Sequence, residues 1–130
     1  MNPPEAIWGG ANKVYTFQRD AYNRLVDTKN PHKFSRLIDA FHSAAAVGIR
    51  LDGISNNNDG AHREELVNVY SIDPKGIFWT ILSARFPELT GLDRFEKLQS
   101  YADYGILRLD EEISIFGNIQ SALDAIFVNH

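Results

Sequence analysis

The stretch Ala40–Gly53, AFHSAAAVGIRLDG, decides the fold class. Read from Phe34 onward, it sets Phe34, Leu37, Ile38, Phe41, Ala45 and Gly48 three or four positions apart, on one face of a helix. Ala44, Ala45 and Ala46 favour helix and keep that face thin, so a neighbouring element can come close. Gly48 is either the C-terminal stop or a contact glycine in the last turn. Upstream, Asn30-Pro31 predicts that this helix opens at Pro31, because a first-turn proline loses no hydrogen bond.

Toward the N-terminus, Val14, Phe17, Ala21, Tyr22 and Leu25 also fall on one helical face, which predicts a helix from Asn12 with Asn12 as its cap. Residues 1–11 hold Pro3, Pro4, Gly9 and Gly10 and predict an irregular arm, with Trp8 packing on the body. Residues 12–130 are then expected to form a single helical domain.

Toward the C-terminus, 52–60 is a loop by composition, with glycine, serine, aspartate and three asparagines. Residues 64–70, EELVNVY, read as a short strand or a turn of helix; a strand would have no evident partner. Asp73-Pro74 predicts a helix start, with Ile77, Phe78, Ile81 and Leu82 on one side and Phe86-Pro87 as the stop. Thr90 opens a further helix carrying Leu92, Phe95, Leu98 and Ala102, expected to close near Gly105. Leu109, Ile113, Phe116, Leu123, Ile126 and Phe127 keep helical spacing, with Gly117 as a divider. The expected fold is therefore all-α: a compact bundle of five or six short helices with one long polar loop and room for a minor strand or hairpin.

The totals bound the function. At 130 residues, with 44% apolar and 12% aromatic side chains, the chain suits one globular domain. It has no cysteine, which excludes disulfides, thiolate metal sites and thiol nucleophiles. No apolar run approaches the roughly 20 residues that span a bilayer, and the N-terminus lacks a secretory pattern. The expectation is a cytoplasmic protein with no membrane contact. Net charge is −4, divided between +3 over residues 1–36 and −7 over residues 37–130. A basic N-terminal third suits nucleic acid or an acidic partner, but its charges are spaced rather than clustered, as on a solvated helix face.

No motif supplies a reactive centre. Numbering a calcium loop from Ser55 puts Asn57, Asp59 and Gly60 at the third, fifth and sixth positions, but Leu66 stands where a bidentate carboxylate is required. A polar reversal explains the same residues. His32, His42, His62 and His130 have no metal-ligand spacing. No serine lies in a Gly-x-Ser-x-Gly elbow, and no glycine loop fits a phosphate cradle. Glu64-Glu65 and Asp110-Glu111-Glu112 read as helix-terminal charges. Neither a cofactor nor a catalytic residue is assigned. Asp39 and His42 lie three apart on one helix and, with Arg50, make the best scattered catalytic set.

Six residues are candidate contacts with a protein or nucleic acid: Arg50, Asn57, His62, Arg63, Lys75 and Tyr104. Arg50 and Arg63 flank the long loop, and Lys75 opens the helix after it, within reach of phosphates. Tyr101, Tyr104, Phe86, Trp79 and Arg85 are residue types that dominate interface energetics.

The order of elements resembles that of small proteins associated with Dnd DNA-phosphorothioation and related phage-defence operons. Ala44-Ala45-x-x-Gly48 is similar to their Ala-Ala-x-x-Gly helix. Tyr101-Ala102-Asp103-Tyr104-Gly105-Ile106-Leu107 is similar to their late Tyr-Ala-x-x-Gly-Leu element. The likeness spans roughly residues 34 to 109. It implies an accessory subunit of an antiviral or restriction-type system and transfers no catalytic residue. The leading expectation is a non-enzymatic subunit that docks on a larger protein. The alternative is a DNA-binding accessory or regulator; self-association is a further option.

Overall fold

The computed structural model describes residues 7–55 and 62–128. It is mostly helical with one small antiparallel sheet. Strand β1 (Lys13–Thr16) and helix α1 (Arg19–Leu25) lead into α2 (Leu37–Leu51). Strand β2 (Glu64–Asn68) and a single 3-10 turn (Val69–Ser71) follow. Helix α3 (Ile77–Arg85), the 26-residue α4 (Gly91–Phe116) and α5 (Ile119–Val128) complete the chain.

Helices α2 and α4 form the spine. Gly48 is a contact glycine, not a stop: a Cβ there would collide with the Tyr101 carbonyl oxygen. Gly105 does the same from the other side, where a Cβ would run into the Ala44 carbonyl. The two backbones therefore touch, and Ala40, Phe41, Ala44, Ala45 and Val47 are fully covered, as are Leu98, Tyr101, Ile106 and Leu109 opposite them. Such packing gathers dispersion contacts that no larger side chain would permit.

Four boundaries differ from the sequence reading. The predicted helix from Asn12 is a strand at its start: β1 pairs with β2 through Val14↔Val67 and Thr16↔Glu64, and the Asn12 carbonyl accepts from the Val69 N–H. Val14 and Thr16 are buried and Lys13 is exposed, a two-residue period. That period and the helical one share Val14, so the stripe is genuinely helical only from Ala21. The EELVN part of EELVNVY is thus a strand with a partner, and Val69 and Tyr70 open the 3-10 turn.

The helix expected at Pro31 begins at Leu37. Residues 27–34 instead turn back on themselves: Phe34 N–H donates to the Leu25 carbonyl, Asp27 N–H to the Phe34 carbonyl, and the Asn30 side chain accepts from His32 N–H. The helix expected to close near Gly105 continues to Phe116, because Gly105 is needed where helices meet and its helical φ carries no strain. Gly117, at φ 85°, does divide α4 from α5.

Capping follows the sequence more closely. Thr90 Oγ1 accepts from Asp93 N–H at 3.1 Å and starts α4. Asp73 also caps a helix, but from a distance. Its carboxylate accepts from Phe78 N–H (3.1 Å) and Trp79 N–H (2.9 Å), across a Lys75-Gly76 turn in which Gly76 is left-handed. Helix α3 therefore opens at Ile77 rather than at Pro74. Among the described residues no helix is long and apolar enough to cross a membrane.

Candidate functional site

Helix α3 places its side chains unlike the others. Its apolar residues cover a broad arc, with Thr80 and Ser83 on the remaining side, yet only Leu82 is fully buried, while Phe78 and Ile81 pack partly on the core. Ile77 is 57% exposed and Trp79 38%. A helix with so broad an apolar face ordinarily packs against more than one neighbour. Beside its N-terminal turn lies a groove of about 710 Å³, lined by Ile7, Trp8, Val69, Tyr70, Pro74, Lys75 and Trp79. That volume is in the range of sites that enclose a ligand or a short peptide.

Local structure explains how the groove is held. Trp8 forms part of its wall and is itself only 2% exposed, with its ring 6.0 Å from that of Phe95. The chain reaches Trp8 through a turn at Gly9, where a Cβ would meet Leu92, while a Cβ on Gly91 would meet the Ile7 carbonyl. The arm at 7–11 is thus clamped to the start of α4. The other wall is the Asp73-Pro74-Lys75-Gly76 turn, fixed by the Asp73 cap. Thr80 turns its hydroxyl back to the Gly76 carbonyl at 2.7 Å. The polar groups of Asp73 and Thr80 are therefore used internally. Lys75 is exposed, and no described residue forms an ion pair with it.

A second polar cluster lies between β1 and α4. Asp103 is 4% exposed; it accepts from the Thr16 hydroxyl and from Phe17 N–H. Burial pushes its carboxyl above the usual carboxylate range, against the hydrogen bonds from Thr16 and Phe17 and the nearby charge of Arg63. Gln99, one turn earlier, accepts from Tyr15 N–H at 2.7 Å. Tyr22, fully covered, has its hydroxyl raised well above 10 by burial and then by the Asp103 charge. Asp103 and Gln99 serve as side-chain partners for the outer edge of β1, so their role is to dock the sheet on the spine.

A third cluster closes α2. Asp52, left-handed at φ 50°, accepts from the Tyr101 hydroxyl at 2.8 Å and lies 3.8 Å from Arg85, which also donates to the Ile49 carbonyl.

No family model matches this chain, and neither a curated protein nor a solved structure does. The site therefore rests on its own geometry.

The residues expected to act together are spread over three places. Arg50 lies in the last turn of α2 and is exposed. Tyr104 packs its ring against Gly53 at the loop base, where a Cβ would meet that ring. His62 is exposed at the approach to β2. Arg63 lies over the Tyr15 and Phe17 rings (5.2 and 5.8 Å) and 3.6 Å from Glu96, so its charge is already engaged. Lys75 alone among these lines the groove. Asn57 lies outside the described residues. In the scattered set, Asp39 and His42 are already engaged by other groups. Asp39 is held by Arg36 at 2.9 and 3.0 Å, which keeps its carboxyl below the usual range, while His42 Nε2 meets the Ser71 carbonyl at 3.1 Å.

Sequence reasoning named Trp79 and Lys75 but missed Tyr70 and Trp8 as their neighbours. The available signal was the run Tyr70 to Trp79 itself: an aromatic at each end of an Asp-Pro-Lys-Gly turn. Asp103 was missed as well. Its signal was a lone carboxylate inside the apolar stripe Leu98, Tyr101, Ala102, Ile106.

Proposed function

We propose that this protein is a non-enzymatic interaction subunit that docks on a larger protein through the groove between the arm at 7–11 and α3. One observation carries the reading: α3 has a broad apolar face but fully buries only Leu82, leaving Ile77, Trp79 and neighbouring Tyr70 exposed. Exposed apolar surface of this kind marks interaction sites in soluble proteins. Trp and Tyr are also the side chains that most often dominate binding energy.

The resemblance to Dnd-associated and phage-defence proteins suggests the partner's setting, a DNA-modification or antiviral complex. The residues that carry it, Ala44 to Gly48 and Tyr101 to Leu107, make the α2–α4 contact, so the likeness speaks for a shared spine and leaves the groove to define the partner.

The test is recovery of the tagged full chain from its native cells under mild conditions, beside the Trp79→Ala variant. A stoichiometric complex with a larger protein, lost on Trp79→Ala while the circular dichroism spectrum is unchanged, is the expected result. Recovery of the parent chain alone and monomeric would overturn the reading.

A further inference from the structure

The groove's charge pattern specifies the chemistry of what fills it. Two charged residues line it, Asp73 and Lys75. Both Asp73 carboxylate oxygens are occupied, one by Phe78 N–H and the other by Trp79 N–H. The carboxylate keeps its charge but is committed to the helix N-terminus, and it forms no ion pair with Lys75. Lys75 has no ion-pair partner among the described residues, and it stands beside Trp79 and Tyr70 on a turn that the Asp73 cap holds in place. The site combines an apolar aromatic trough with one available cation. A ligand complementary to both parts carries apolar side chains and a carboxylate close to them.

We propose that the groove binds a short peptide segment of the partner in which an acidic residue neighbours a large apolar one, with the carboxylate on Lys75 and the apolar side chain against Trp79. This rests on the docking reading above and adds the partner's chemistry to it. Peptide recognition by helix-flanked grooves commonly works in this way: a few side-chain anchors supply affinity and a charge fixes register. The protein has two tryptophans, Trp8 and Trp79, and both line the groove, so indole fluorescence reports its occupancy without labels.

The probe is a random short-peptide library displayed on phage, selected on the immobilised full chain and, in parallel, on Lys75→Glu. Lys75 is exposed, so the substitution leaves the fold intact, which circular dichroism checks. The expected result is enrichment of sequences pairing Asp or Glu with Phe, Trp, Leu or Ile. On Lys75→Glu the acidic residues should drop out and basic ones replace them. Synthetic versions of the enriched peptides should shift the tryptophan emission of the parent, and Trp79→Phe should remove most of that shift. An apolar motif with no acidic preference, a preference unchanged by Lys75→Glu, or no enriched motif would each overturn the proposal. The docking reading fails separately: a native complex that survives both Lys75→Glu and Trp79→Ala puts the partner on another surface, whatever the library shows.

Discussion

Helices α2 and α3 are equally apolar on average, yet one is sealed and the other is open. In α2 the apolar residues gather on one side, and small ones stand where α4 crosses, so Ala44 and Gly48 meet Gly105 and Tyr101 backbone to backbone. In α3 the large apolar residues spread over a wider arc, and the rest of the chain covers only Leu82 fully. Composition cannot separate these cases; the arrangement of large and small side chains does. Small residues mark where the chain meets itself. Large aromatics left outside mark where it is prepared to meet something else.

The sharpest way to break the contrast is at the spine. Gly105→Leu drives a side chain into the Ala44 carbonyl and must part the helices. A loss of at least about 3 kcal/mol is expected, near the limit that a domain of this size tolerates. Urea unfolding checks it, and a loss below about 1 kcal/mol would show that the close approach is not required.

A smaller effect is expected between spine and sheet. Asp103→Asn leaves one of two donors, Thr16 Oγ1 or Phe17 N–H, without its carboxylate acceptor, at a cost of about 1–3 kcal/mol. The pH dependence has a definite sign. Burial raises the folded-state pKa of Asp103 above its ordinary value of 3.8, so the native state holds this proton more tightly than the unfolded chain does. The stability linked to that proton is complete below the ordinary value and is lost as pH rises through the folded value. The deficit of Asp103→Asn relative to the parent should therefore shrink from acid toward neutral pH. A deficit that grows over that interval would reverse the assignment.

The smallest stability effect belongs to the groove. Trp79→Ser removes a side chain that is 38% exposed from a helix anchored by Leu82, Phe78 and Ile81, and is expected to change unfolding free energy by about 1 kcal/mol. It should nevertheless abolish partner capture. A change as large as that of Gly105→Leu would make Trp79 a core residue and end the contrast.

The spine was legible in the sequence because its signal is local and redundant. Phe41, Ala45 and Gly48 repeat with the helix, and a glycine in such a stripe has few uses other than close contact. Helix starts were less legible. Asp73 and Asn30 are capping residues in the right neighbourhood, but Asp73 caps from four residues before Ile77 and Asn30 caps a turn. The sheet was obscured because Val14 satisfies two periods and because β2 lies some 50 residues away. The groove was the least legible. It joins Trp8, Tyr70, Lys75 and Trp79 from three segments, and only the folded chain brings the first of these to the others.

The most direct test of the account is amide hydrogen exchange on the native complex compared with the free chain. Protection on binding is predicted at residues 69–80 and 7–11, around Tyr70, Lys75 and Trp79, with the α2–α4 spine slow to exchange in both states. Protection confined to other exposed apolar residues, such as Ile115 and Phe116 at the end of α4, would contradict it.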